Sequence, residues 1–270
     1  MMKDITLGQY FPGNSILHRI DPRMKLVLTL CFIVLVFLPQ NWWGLLTVGL
    51  FLVLMLGLSR LPIRLMWRST KPVLFLVLFT SILNILYVHD GTPLWPGGFI
   101  TTGGLQSAAF IAIRIICLIL GSSLLTYTTT PTALTDAIER LLSPLKLIRV
   151  NPHELAMMMT IALRFIPTLM EETDKIMSAQ KARGADMESG GLLKRVKALI
   201  PILIPLFVSS FRRAYDLAMA MECRCYQGGT GRTRMKQLHT ALRDWLALLV
   251  YLAVGAGIVL LNIYFEKTLN

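Results

Sequence analysis

Charge is scarce in this 270-residue chain: 16% of its residues are Asp, Glu, Lys or Arg, against about 25% in soluble domains. With 54% hydrophobic residues and a mean hydropathy of +0.61, that deficit argues against a water-soluble fold. Acidic residues are scarcer than basic ones, 15 against 27 Lys and Arg, giving a net charge of +12. In a soluble protein such a surplus would point to nucleic acid. No basic stretch here is interleaved with stacking aromatics, so nucleic acid is not an expected partner; membrane proteins gather Lys and Arg in their cytoplasmic loops. The four cysteines give neither a disulfide framework nor a zinc spacing: Cys31 and Cys117 sit in apolar runs, and Cys223 and Cys225 are two apart. No cofactor or metal is expected.

Chemistry is missing too. The Gly-rich run Gly228–Thr233 lacks the Lys of a phosphate loop, so the chain is not expected to bind ATP. His153-Glu154 begins like a zinc-protease motif, but Met157 stands where the second His belongs. No catalytic residue can be named, and the chain reads as a non-enzyme. The N-terminal stretch Met1–His18 does not have the pattern of a cleaved signal, so the first apolar run reads as a retained helix. Arg114 is the exception to an absence of ionisable residues in the apolar runs; it is open to snorkelling, to pairing with a neighbour or to a transport path.

What is present is a set of five apolar segments: Leu26–Leu38, Trp42–Leu58, one from about Pro72 to Val88, Leu105–Tyr127 and Trp245–Phe265. The expected fold is all-α, a polytopic membrane protein with about five transmembrane helices. The first two segments are short, separated by Pro39-Gln40-Asn41, and read as a helical hairpin that crosses the bilayer or re-enters it. Arg60, Arg64, Arg68 and Lys71 crowd the connection after the second segment, Arg19, Arg23 and Lys25 precede the first, and 89–104 holds neither Lys nor Arg. This charge bias places the N-terminus in the cytoplasm. The division expected is 1–127 with four membrane helices, 128–242 as a cytoplasmic helical unit, and 243–270 as the last span.

Within 128–242 apolar residues recur at helical spacing: Ile161, Phe165, Leu169, Ile176 and Ala179. A second long helix is expected from about Leu193 to Arg224, bent or loosened by Pro201 and Pro205, its apolar start lying on the membrane face or on the first helix. A shorter one, Thr132–Leu147, is expected to begin on Thr132 or Thr135. Methionines are frequent here (Met157–Met159, Met170, Met177, Met187, Met219, Met221), for soft packing or for a surface that meets several partners. Each long helix ends on an arginine flanked by small residues: Ala182-Arg183-Gly184, and Cys223-Arg224-Cys225 with Gly228-Gly229 as a later stop. A lone cation there offsets the helix dipole; two similar tips offer two bidentate guanidinium plugs for carboxylates on a partner.

With those tips in view, the chain resembles the transmembrane T component of the energy-coupling factor family of vitamin and metal importers. The run Gly8–Ser15 followed by Leu17–Lys25 resembles that family's N-terminal pattern, Ala182-Arg183-Gly184 matches its first Ala-Arg-Gly motif, and the second is matched at Arg224 alone, with Cys223 and Cys225 replacing Ala and Gly. The resemblance implies a multi-pass subunit of a bacterial cell membrane whose partners are two ATP-binding cassette ATPase subunits and a membrane substrate-binding S component, one of several interchangeable ones. It makes Ala182, Arg183, Gly184 and Arg224 the ATPase-docking residues. Ile202, Leu203 and Leu206, in the broken apolar run, are the expected S-component contact. A self-sufficient secondary transporter and a conventional ABC permease are the competing readings; an intramembrane enzyme lacks the residues it needs.

Overall fold

Proline and small polar residues set the helix limits. A computed structural model describes residues 10–88, 92, 101–144, 151–185, 191–228 and 239–269. Gly8 and Gln9 of the N-terminal pattern, most of the 89–104 connection, the end of the helix expected at 132–147, Met187 and Gly229 lie outside the described residues. Among the described residues, a 3-10 turn at Leu17–Arg19 is followed by eight α-helices: α1 (Pro22–Phe37), α2 (Trp42–Ser59), α3 (Ile63–Tyr87), α4 (Thr102–Thr128), α5 (Pro131–Leu141), α6 (Pro152–Ala182), α7 (Leu192–Cys223) and α8 (Leu242–Leu269). Among the described residues no helix joins a multi-strand sheet. The chain divides into two compact units, one formed by Gly8–Ala137 with Gln237–Asn270, the other containing Ile138–Lys236.

Five described helices are long and apolar enough to cross a membrane: α2, α3, α4, Val196–Cys223 of α7, and Leu242–Phe265 of α8. The number matches expectation but the membership differs. At 16 residues, α1 is about 24 Å long, short of a hydrocarbon core of about 30 Å. Two helix starts differ from the expected ones. The third apolar segment is the later part of a longer helix, since α3 begins at Ile63 and runs through Pro72. The helix expected from Thr132 starts at Pro131 and ends at Leu141; its cap is Thr130, whose Oγ1 accepts from the Ala133 amide at 3.3 Å, because proline suits the first helical position, where no amide is needed. The second long helix, α7, runs Leu192–Cys223, within a residue of the bounds expected, and continues through Pro201 and Pro205.

In the first unit the short α1 is the core. Leu28, Phe32, Leu35 and Val36 are buried, a helical stripe that meets Val48, Phe51, Leu52 and Met55 of α2, Cys117 and Leu124 of α4, and Tyr251 and Ile258 of α8. Tyr251 meets the Phe51 ring edge-on at 4.9 Å between centroids. A Cβ added to Gly121 would lie 2.0 Å from Cε1 of Phe32, so the absence of a side chain there lets α4 approach α1.

Both ends of α1 are tied by polar groups. At its C-terminal end the hairpin turn exposes carbonyls: Asn262 donates to Leu38 O at 2.8 Å and accepts from the Gln40 amide at 3.3 Å, and Arg114 donates to Pro39 O at 2.7 Å. The Arg114 guanidinium lies 4.7 Å from the Phe110 ring centroid and 5.9 Å from that of Phe37, an arrangement that shelters a cation among apolar groups. Of the roles open to it, pairing with a neighbour is the one observed. At the other end Lys25 donates to Thr128 O at 2.8 Å and His18 O at 3.3 Å, Phe11 donates its amide to Tyr127 O at 2.9 Å, and Asp244, 0% exposed, accepts from the Asp21 and Ala241 amides at 3.2 and 2.8 Å. His18 bonds Ser15 Oγ at 2.6 Å and Phe11 O at 3.0 Å. The N-terminal pattern is therefore a knot that satisfies the last carbonyls of α4 and the first turn of α8.

Gly121→Ala should lower the thermal unfolding midpoint of the purified protein, by an overpacking cost of about 1–3 kcal/mol. Gly49→Ala, where nothing lies within 4 Å, should leave it unchanged. Equal midpoints for both variants would show that α1 and α4 do not depend on this close approach.

Candidate functional site: two arginine-ended helices

The second unit is built on α6 and α7. Polar contacts fix their direction: Gln180, near the end of α6, donates to Pro201 O near the start of α7 at 3.4 Å, while Glu172, earlier in α6, meets Ser209 and Arg213, later in α7. The helices are therefore antiparallel. The Gln180 bond has a local cause. The residue four beyond Pro201 is Pro205, which has no amide hydrogen, so the carbonyl of Pro201 has lost its helical donor and takes one from the neighbouring helix.

Glu172 holds the pair together. One carboxylate oxygen accepts from the Ser209 hydroxyl and the other from Arg213 Nη2 at 2.9 Å. The Ser209 hydroxyl, ahead of the Arg213 guanidinium, holds this carboxyl below the ordinary carboxylate range. A second tie joins the opposite end: Tyr226 Oη contacts Met157 Sδ at 3.0 Å and His153 Nε2 at 3.4 Å, and His153 Nδ1 lies 3.0 Å from Glu139 Oε1 of α5. His153 and Met157, read from sequence as a failed metal motif, here moor the chain just beyond α7. Glu139, Glu172, Ser209, Arg213 and Tyr226 were not singled out by sequence. The signal was there for Glu172 and Arg213, each a charge within a stretch of helical apolar spacing.

The two ends are the same local structure. Arg183 caps α6 with φ −84° and ψ 7°, and Arg224 caps α7 with φ −93° and ψ 11°. Beyond α6, Gly184 donates to Lys181 O at 3.0 Å and Ala185 to Gln180 O at 3.0 Å; beyond α7, Cys225 donates to Glu222 O at 2.8 Å and Tyr226 to Met221 O at 3.0 Å. Both are Schellman motifs. The left-handed residue is Gly184 at φ 84° in one and Cys225 at φ 55° in the other. α7 ends at Cys223, close to the expected end at Arg224 and without recourse to the later stop at Gly228, with Cys225 taking the glycine's role at a cost of about 1–2 kcal/mol for its Cβ. Ala182, Arg183, Gly184 and Arg224 are all exposed, and among the described residues neither guanidinium has an ion-pair partner.

Each tip lies eleven residues beyond its half of the clasp, Arg183 from Glu172 and Arg224 from Arg213, or about 16 Å of helix. Because the helices are antiparallel, the arginines stand at opposite ends of the pair, on the order of 30 Å apart along it. Between them α7 is apolar nearly all round: Leu199, Ile200, Ile204, Phe207, Val208 and Phe211 are exposed, as on a helix covered by lipid or by another protein. Of the expected contact residues, Leu203 is 45% exposed, Leu206 partly exposed and Ile202 3% exposed.

Comparison with known proteins places this geometry. Residues 13–236 match the family model described as CbiQ, cobalt transport protein. The proteins named energy-coupling factor transporter transmembrane protein EcfT are similar along almost their whole length: that of Ruminiclostridium cellulolyticum is 52% identical, covering 98% of this chain and 100% of its own, and that of Clostridium kluyveri 50% identical over 99% and 100%. The chain belongs to the EcfT family. The Bacillus subtilis EcfT protein is 47% identical over 95% of this chain and 97% of its own. As an EcfT-family chain with five helices of membrane-crossing length, it is a membrane protein and a transmembrane component of an energy-coupling factor transporter.

Glu172→Gln should loosen the α6–α7 clasp, raising amide exchange around Ser209 by about fivefold, the equivalent of about 1 kcal/mol. Since the Glu172 carboxyl is depressed in the folded protein, the clasp is complete above the unfolded value of about 4.3 and is lost as pH falls through the lower folded value. Wild-type exchange at Ser209, corrected for intrinsic rate, should therefore be flat from about pH 5 to 8. A step within that window would assign the clasp to another group.

Proposed function

We propose that this chain is the non-catalytic coupling subunit of an ATP-driven importer of vitamins or other micronutrients, with Arg183 and Arg224 docking into two ATP-binding cassette ATPase subunits. The observation that carries the reading is the repetition of one exposed, arginine-bearing Schellman end at both extremities of an antiparallel pair. Tips on the order of 30 Å apart fit two sites, one on each ATPase, better than one. Each guanidinium has its donors open for a partner's carboxylate, in a bidentate geometry that lysine cannot reproduce. The small residues Ala182 and Gly184 let the first tip enter a groove. ATP-driven closure of the ATPases then moves both tips, and the α6–α7 pair passes that movement to a membrane-embedded S component that carries the substrate site. ATP hydrolysis belongs to the partners.

In this reading the chain sits in a bacterial cell membrane with its N-terminus in the cytoplasm, 128–242 is the cytoplasmic coupling unit, and 1–127 and 243–270 hold the membrane helices. The positive-inside bias of Arg60, Arg64, Arg68 and Lys71 supports that orientation. Within the apolar run of α7, Leu203 and Leu206 face the S component, while Ile202, 3% exposed, packs inside its own unit.

Arg183→Ala and Arg224→Ala should each weaken assembly with the ATPases by about 2–5 kcal/mol, as loss of one partner from a buried pair does, and abolish uptake. Co-purification and transport assays of both variants decide it: full assembly and full uptake would refute the docking role. Leu203→Gln should reduce S-component recovery while the ATPases still co-purify. Ile202→Gln is a poorer probe, since a buried polar group disturbs the unit itself. Undiminished S-component recovery with Leu203→Gln would move the contact elsewhere.

A further inference from the structure

The start of α3 divides its faces by chemistry. Leu61, Met66, Thr70 and Val77 are buried, and Met66 belongs to the core of its unit. On the opposite side Arg64, Arg68 and Lys71 recur at intervals of four and three residues, all exposed, which sets them in one row on a helix. With Pro62, Leu65 and Trp67 they line a groove of about 550 Å³. No ion pair engages any of the three cations among the described residues.

The height of these residues along the helix points to the same surface. From Pro72 to Tyr87 α3 carries no charge, which places the hydrocarbon boundary just beyond Lys71. The two turns Arg64–Lys71 cover about 10 Å, comparable to the headgroup layer outside the hydrocarbon. Trp67, 64% exposed, stands between the cations at the level where indoles settle in a bilayer. Lys and Arg that merely obeyed a charge bias would need no common row, no groove and no indole between them.

We propose that Arg64, Arg68 and Lys71, with Trp67, form a binding site for the phosphate headgroup of an anionic phospholipid. The arginines offer forked donors to phosphate oxygens, Lys71 a point charge at the hydrocarbon boundary, and Trp67 a flat apolar surface for the glycerol and upper acyl carbons. The site commits the start of α3 to an anionic leaflet, with a cation there worth about a fivefold change in affinity.

The test is native mass spectrometry of the full-length chain, with whatever subunits co-purify, in detergent titrated with phosphatidylglycerol or phosphatidylcholine. The expected result is retention of phosphatidylglycerol about tenfold over phosphatidylcholine, lost in the triple variant Arg64→Gln, Arg68→Gln, Lys71→Gln and kept in a charge-matched control, Arg19→Gln, Arg140→Gln, Arg164→Gln. Millimolar inorganic phosphate should not displace the lipid. Equal loss in both triple variants would reduce the effect to diffuse charge, displacement by phosphate would make the ligand a free anion, and loss of a co-purifying protein with no lipid preference would make the groove a docking site for an acidic segment; each overturns the proposal. If the triple variant does not fold, the single variants replace it: about fivefold weaker retention in each supports the site, and unchanged retention in all three removes it.

Discussion

A carbonyl group inside a bilayer has no water to turn to, and the short α1 ends among carbonyls of that kind. At 16 residues, α1 cannot carry its own end to the headgroups, so the turn after it must be satisfied from its neighbours. Asn262 and Arg114 do this, one from α8 and one from α4. The requirement fixes much else in the membrane unit. It places a cation within an otherwise apolar helix, draws Phe110 and Phe37 around it, and sets the height at which α4 and α8 pass the hairpin. At the opposite end Lys25 and Asp244 perform the same service for α4 and α8. The core of the unit is apolar, but its assembly is specified by these few polar ends, since apolar side chains gain little from choosing each other over lipid.

The unit of α6 and α7 solves a different problem. Two prolines within α7 remove helical hydrogen bonds, yet the helix continues because one freed carbonyl is taken by Gln180 and because Glu172 grips the next turns through Ser209 and Arg213. The helix that is weakened by its prolines is thus steadied by side chains of its neighbour. The ends, by contrast, are closed by their own backbones, with one tertiary tie at Tyr226 beyond α7, so each arginine is presented chiefly by local geometry. That division leaves the guanidiniums available.

Much of this was legible in the sequence and some was not. The apolar segments, the long helices and both arginine tips follow from periodicity and composition. The starts of α3 and α5 did not, because the basic turns Ile63–Lys71 interrupt the apolar pattern of the helix that carries Pro72, and because the cap was sought at Thr132 or Thr135 although Pro131 already opens the helix. Cys225 stands where the resembled motif has glycine, and it takes the left-handed position because a Schellman closure with two backbone bonds outweighs the steric cost of one Cβ. Arg114 left three options open in one dimension; only the fold brings Pro39 beside it. The Glu172 clasp depends on which residues face each other across an antiparallel pair, a register that periodicity alone does not set.

Equal spacing of the two tips from Glu172 and Arg213 gives the α6–α7 pair the form of a balanced lever. With arms of about 16 Å, a rotation of one helix against the other by ~10° about the clasp would carry each tip through about 3 Å, by the same amount at either end. Neither tip has a mechanical advantage. A displacement imposed on one is returned at the other without gain or loss, so two engaged partners would be held to the same stroke, and an unequal pull would be felt as shear at Glu172.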